Sequence, residues 1–116
     1  MDNCLFCRIV RGEIPCRKVY EDDEILAFHD IHPQRPVHFM IIPKHHIATL
    51  YDVAAVDRDV LGALLLKAGT LARQEGLGDG FRTIVNTGRI GGQEVYHLHV
   101  HILGGPDPVG PMVRRI

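Results

Sequence analysis

Charge of neither sign predominates in this chain: 13 Lys and Arg stand against 14 Asp and Glu, for a formal net charge of −1. That balance leaves no basic field for a long polyanion, so no nucleic-acid partner is expected. No apolar run approaches the about 20 residues of a membrane-spanning helix. The residues after Met1 are Asp2 and Asn3 rather than the basic and then apolar blocks of a secretory signal. A cytoplasmic location without membrane association is expected. Cysteines are few and odd in number, three in all, which argues against a disulfide framework and fits a reducing compartment. The length, 116 residues, leaves no need for a second domain. Residues 1–116 are expected to form one compact unit whose core needs no staples.

What the chain has in plenty is histidine, eight in all, in two stretches from His29 to His46 and from His97 to His101. The most informative segment is Gln93 to Gly105, QEVYHLHVHILGG. In an extended strand successive side chains point to opposite faces, so His97, His99 and His101 share one face while Leu98, Val100 and Ile102 share the other. Three adjacent imidazoles suit a plain structural strand poorly, because each buried ring needs partners for both nitrogens. The alternatives are a half-buried strand with a polar outer face, metal ligation by a His-x-His pair, or a reaction site of convergent titratable groups.

The remainder reads as an α+β chain. A short helix is expected from a cap at Asn3 to about Arg11, with Leu5, Phe6, Ile9 and Val10 at helical spacing and Gly12 ending it. Inside it, Cys4-Leu5-Phe6-Cys7 is compatible with redox chemistry, half a zinc site, or two small buried residues. Arg17–Tyr20 and Ile25–Asp30 read as a hairpin around a solvated acidic turn, Glu21 to Glu24. The prolines at 33 and 36 force a loop at a sheet end, a common place for ligand contacts. Val37–Ile42 is the next strand, and its His38 is either a satisfied core residue or part of a site. A long helix from an Asp57 cap to Gly76 carries Leu61, Leu64, Leu65, Ala68, Leu71 and Ala72 as a stripe broad enough for the sheet and a second subunit. Phe81–Thr87 reads as a strand, with Arg82 and Asn86 as polar exceptions. Gly91-Gly92 permits close backbone approach, so that amide groups can face an anion. Gly104 to Pro108 breaks the last strand and opens a tail that either is loosely ordered or reaches a partner subunit. Together these pieces predict a largely antiparallel sheet of about five strands with one long and one short helix.

Three histidines alternating with Leu98, Val100, Ile102 and Leu103 resemble the signature of the histidine triad (HIT) family of nucleotide-binding hydrolases and transferases. The likeness extends to Glu13-Ile14-Pro15, Phe28-His29-Asp30-Ile31, Pro33-Gln34, Pro43-Lys44, Asn86, Gly91-Gly92-Gln93 and Gly104-Gly105, and so covers nearly the whole chain. The branch it resembles contains the purine nucleoside phosphoramidases. The resemblance implies that His99 attacks the α-phosphorus and is held by a backbone carbonyl near His97. It implies that His101 bonds a phosphate oxygen or the leaving group, and that His38 stands beside the triad. Gln93 would bind phosphate or the bridging atom, Gly92 would face the phosphate, and Asn86 would bind phosphate or the ribose side; Phe6, Ile9, Phe28 and Ile31 would line the slot for the base, and Asp30 would hold ribose hydroxyls. Some relatives carry a serine where this chain has Glu94, next to the nucleotide, which leaves the leaving-group acid open. The family's zinc-bearing members pair a CxxC with two distant histidines, here Cys4, Cys7, His46 and His97, with His45 as the competitor for His46. Such a closed Cys2His2 set would be structural. No cofactor is expected for the chemistry itself, and the form expected is a homodimer.

Three functions compete on this reading. One is hydrolysis of purine nucleoside 5′-phosphoramidates with release of AMP or GMP through a nucleotidyl-histidine intermediate. Another is hydrolysis of dinucleoside polyphosphates or nucleotidyl transfer. The last is a non-catalytic nucleotide-binding scaffold.

Overall fold

The computed structural model of the chain describes residues 3–113. Five strands form one sheet: β1 (Lys18–Glu21), β2 (Ile25–His29), β3 (Val37–Pro43), β4 (Arg82–Ile84) and β5 (Val100–Gly104), with a short helix α1 (Leu5–Val10) ahead of them and a long helix α2 (Arg58–Gln74) between β3 and β4. The strand order is β1-β2-β3-β5-β4, and every neighbouring pair is antiparallel. The α+β architecture read from the sequence is the one observed.

Alternation in the central strands gives the sheet two apolar faces. On one, Ile25 and Ala27 of β2, Phe39 and Ile41 of β3, and Val100 and Ile102 of β5 pack against Val60, Leu64, Ala68, Leu71 and Ala72 of α2. On the other, Leu26, Phe28, Met40 and Ile42 pack against Phe6 of α1. Because β2 and β3 are covered on both sides, they read as nearly continuous apolar runs. Leu98 joins the α2-side cluster, so the histidines alternating with it fall on the α1 side. That parity places the site between α1 and the sheet.

Several elements differ from their expected bounds. The cap of α1 is Cys4, whose Sγ accepts from the Cys7 amide at 3.3 Å, instead of Asn3. Asp57 precedes α2 but does not cap it with its side chain. Its carboxylate instead accepts from Ala54 N at 2.9 Å and lies 3.1 Å from His45 Nε2, closing the preceding turn. Leu65, assigned to the apolar stripe, is 61% exposed. The acidic turn is organised: the Asp22 carboxylate accepts from Glu24 N, Ile25 N and Tyr20 Oη, and Glu21 pairs with Lys18 and Lys44. β4 is three residues long, not seven, because pairing with β5 ends at Ile84 opposite His101. β5 begins only at Val100, since the chain bends at 95–97 and Leu98 N donates out of the ladder to Ile47 O at 2.7 Å. The tail is tied down in part: Arg35 and Arg82 donate to the carbonyls of Val109 and Gly110. Its last residues, 114–116, lie outside the described residues.

Candidate active site and metal centre

The bend before β5 carries His97 and His99 across the face covered by α1, while His101 lies within the strand. His97 is fully buried, and its Nε2 donates to the Pro43 carbonyl at 2.8 Å. His99 Nδ1 lies 2.7 Å from the His97 carbonyl. A carbonyl oxygen only accepts, so the Nδ1 of His99 must donate, and a neutral ring then keeps its lone pair on Nε2. Phe6 packs edge-on to His99 with centroids 5.2 Å apart, fixing the ring plane. Burial lowers the pKa of His99 below the ordinary histidine value, against opposing contributions from its bond to His97, Asp30 and the nearby Glu94. The ring is therefore neutral at pH 7 and offers Nε2 as a nucleophile.

His38, next to the triad on β3, is 5% exposed. Its Nε2 lies 2.9 Å from His101 Nδ1 and 3.4 Å from Asp30 Oδ2, and its Nδ1 accepts from Gln34 N at 3.1 Å. Burial pulls the His101 pKa down to about 4, helped by the neighbouring His99 and His38. It also lowers that of His38, which the Asp30 carboxylate opposes. The structure thus brings His38, His99, His101 and Asp30 together. The centroids of the His99 and His101 rings are 4.8 Å apart.

On the far side of His97 is a second cluster. Its Nδ1 lies 3.4 Å from both Cys4 Sγ and Cys7 Sγ, and His46 Nδ1 lies 3.3 Å from Cys7 Sγ. All four ligand atoms fall within 4.8 Å of one another. Zinc bonds of about 2.3 Å to sulfur and about 2.0 Å to nitrogen put tetrahedral ligands about 3.3–3.8 Å apart, so these residues fit a closed zinc site. The Pro43 carbonyl on the opposite nitrogen of His97 is the partner that orients a metal-ligating imidazole. Burial, reinforced by Cys4, raises the Cys7 thiol to about 11, so an ion must displace that proton on binding. His45 points elsewhere, to Asp57, and His46 is the histidine that joins the cluster.

Other residues singled out by sequence divide into two groups. Phe6 and Phe28 pack edge-on with centroids 5.4 Å apart, and Ile9 packs against their cluster; Ile31 is 85% exposed at the rim. Gly92 has φ +79, and a Cβ at Gly91 would collide with the Thr87 backbone, so both positions in this turn need glycine. Gln93, by contrast, is buried, and its side chain is committed to the backbone. Its Oε1 accepts from Gly88 N at 2.9 Å, and its Nε2 donates to Ala48 O and Val95 O. Asn86 Nδ2 likewise donates to Gly91 O at 2.8 Å. These two amides brace the glycine turn beside the site. Sequence reasoning missed two groups that set ring orientations, the Pro43 carbonyl and the Gln34 amide. Both are main-chain atoms, and the prolines flanking Gln34 were the only sign that its loop is fixed. Among the described residues, no helix is long and apolar enough to cross a membrane.

Comparison with known proteins bears on the family and the fold. Residues 11–107 match the family model described as the HIT domain. Protein HitA of Neisseria gonorrhoeae is 50% identical over 106 residues, covering 91% of this chain and 99% of that protein. The purine nucleoside phosphoramidase of Escherichia coli K12 is 50% identical over 113 residues, covering 97% and 94%. Among solved structures, a HIT family hydrolase from Clostridium thermocellum superposes with a TM-score of 0.92 at 40% identity, covering 98% of this chain and 99% of that one. One from Legionella pneumophila gives 0.87 at 54% identity, covering 90% and 95%. A family model spanning most of the chain, relatives at half identity over nearly full length, and a histidine strand packed beneath α1 lead to one conclusion: the chain belongs to the HIT family.

Proposed function

We propose that this protein is a hydrolase of purine nucleoside 5′-phosphoramidates, acting as a homodimer and releasing AMP or GMP. The observation that carries the reading is the 2.7 Å contact of His99 Nδ1 with the His97 carbonyl, which leaves Nε2 bare in a partly enclosed site. The half identity to a relative named purine nucleoside phosphoramidase supports the substrate class.

In the first step the Nε2 lone pair of His99 forms a bond to the α-phosphorus as the P–N bond to the leaving amine breaks. The electron pair of that bond departs with the amine, which takes up a proton from solvent. Water then attacks the phosphorus, the His99–phosphorus bond breaks with its electron pair returning to Nε2, a proton of the water passes to solvent, and the nucleoside monophosphate leaves. Charge on the phosphate oxygens is met by hydrogen-bond donors already in place, foremost His101. Phe6, Phe28, Ile9 and Ile31 would contact the base, and Asp30 the ribose hydroxyls. Gly92 and the turn braced by Gln93 and Asn86 would present amide groups to the phosphate, and Glu94 stands near enough to His99 for its charge to act on that ring. Cys4, Cys7, His46 and His97 would hold a structural Zn²⁺, which supplies no step of the reaction.

The test is turnover of a fluorogenic adenosine 5′-phosphoramidate by the native chain and His99→Ala, with intact mass measured on rapidly quenched samples. The native chain should gain one adenylyl unit and the variant none, with turnover lowered by at least about 10³-fold, as for loss of a nucleophile. Turnover without an adduct, or an adduct that persists in His99→Ala, would overturn the mechanism.

A further inference from the structure

The loop between β2 and β3 aims one main-chain donor at the site: Gln34 N lies 3.1 Å from His38 Nδ1. A backbone amide only donates, so this ring nitrogen must accept, and a neutral His38 then carries its single proton on Nε2. Two acceptors face that proton, His101 Nδ1 at 2.9 Å and Asp30 Oδ2 at 3.4 Å. The nearer one is His101 Nδ1. Once it accepts, the only proton of a neutral His101 lies on Nε2. Burial, which lowers both rings' pKa values, keeps them neutral at pH 7. His99 is set in the opposite sense by the His97 carbonyl. Two rings 4.8 Å apart thus present opposite faces of the same chemistry, a lone pair from His99 and an N–H from His101.

We propose that the main-chain amide of Gln34 is a positioning group that acts through His38 to hold His101 in the Nε2–H tautomer. His101 then serves as a neutral hydrogen-bond donor to the phosphate oxygens and not as a general acid. The donor's target rests on the function proposed above; the tautomers do not. The loop is built to keep the amide in place. Pro33 and Pro36 restrict its backbone, and Asp30 Oδ1 accepts from His32 N at 2.8 Å. A neutral imidazole donor keeps positive charge away from His99, whose ring becomes cationic once Nε2 bonds phosphorus while Nδ1 keeps its proton, and which a neighbouring imidazolium would therefore repel. Neutral histidine serves as an electrophile in the same way elsewhere.

The test removes one hydrogen. Replacing the Pro33–Gln34 amide by an ester, with the α-hydroxy analogue of glutamine, deletes the donor and keeps the side chain. Gln34→Ala keeps the donor and deletes the side chain. Imidazole ¹⁵N spectra of both, and of the native chain, report which ring nitrogens carry protons without any substrate present. Bare Nδ1 atoms on His38 and His101 are expected in the native chain and in Gln34→Ala, and mixed tautomers on both rings in the ester. For phosphoramidate turnover the ester should lower kcat at least about tenfold, short of the about 10²–10³ for complete loss of an oxyanion donor, with KM changed much less. A protonated Nδ1 on native His101, or an ester variant whose tautomers match the native chain, would overturn the proposal. If the tautomers are as described but phosphoramidates are not turned over, the positioning stands and only the substrate reading falls.

Discussion

Gln93 separates what a side chain suggests from what its surroundings make of it. The family resemblance marked it as a phosphate ligand, yet it is 7% exposed, its Nε2 donates to the Ala48 and Val95 carbonyls and its Oε1 accepts from the Gly88 amide. Removing a partner from buried polar groups costs about 1–3 kcal/mol. Gln93→Ala is therefore expected to destabilise the fold by about 2–4 kcal/mol, since more than one backbone group is stranded. Urea denaturation checks this: the midpoint should fall with the slope unchanged. An unaltered midpoint with weaker nucleotide binding would return Gln93 to the phosphate. The histidines themselves were legible at this scale, because alternation is a property of side chains along one strand. Most of the partners that fix their rings were not. The Pro43 carbonyl and the Gln34 amide belong to the main chain, which every residue carries alike, so no residue type announces them; the carbonyl that holds His99 was expected from the family resemblance alone.

Among the elements, α1 has the least reason to exist alone. Six residues are far below the length at which an isolated helix persists in water, and only Phe6 and Cys7 of it are buried. Its attachment to the sheet therefore depends on Phe6 against Phe28 and on the cysteines against His46 and His97. If zinc fills that cluster, the metal joins α1 to the segments after β3 and before β5, and its binding energy is folding energy for this corner. Stripping metal with a strong chelator, or Cys7→Ser, should raise amide exchange in residues 4–11 while β2 and β3 stay protected, and should lower Tm by at least about 4 °C. Equal exchange with and without chelator would leave two inert buried cysteines as the account. The bounds of the strands were less legible than the helices. Phe81–Thr87 has strand composition throughout, but a strand lasts only as long as its partner, and β5 begins at Val100 because Leu98 pairs with Ile47 instead. Register between distant segments decides such ends, and local composition does not contain it.

Over the whole molecule, a sheet with apolar side chains on both faces needs cover on both, and α2 and α1 with its histidine neighbours supply it. The sequence carried this much in its near-continuous apolar runs at 25–28 and 39–42. It did not carry which part of the α2 stripe would be left over. Leu65 and Leu66 are 61% and 82% exposed, and Tyr51 and Val56 in the turns before α2 are each 88% exposed. Large apolar side chains on the outward face of the longest helix suit a second copy of the chain, which would bury them in a symmetric contact. The expected solution mass is accordingly twice the 13.0 kDa of one chain. Light scattering on Leu65→Lys with Leu66→Glu should return the mass of one chain, and because both sites point away from the core the far-ultraviolet dichroism should be unchanged. A native chain that already weighs 13.0 kDa at micromolar concentration would remove the dimer and leave the exposed leucines without a partner. A charged variant that stays dimeric would move the contact off α2, with the edge strand β4 as the next surface to alter.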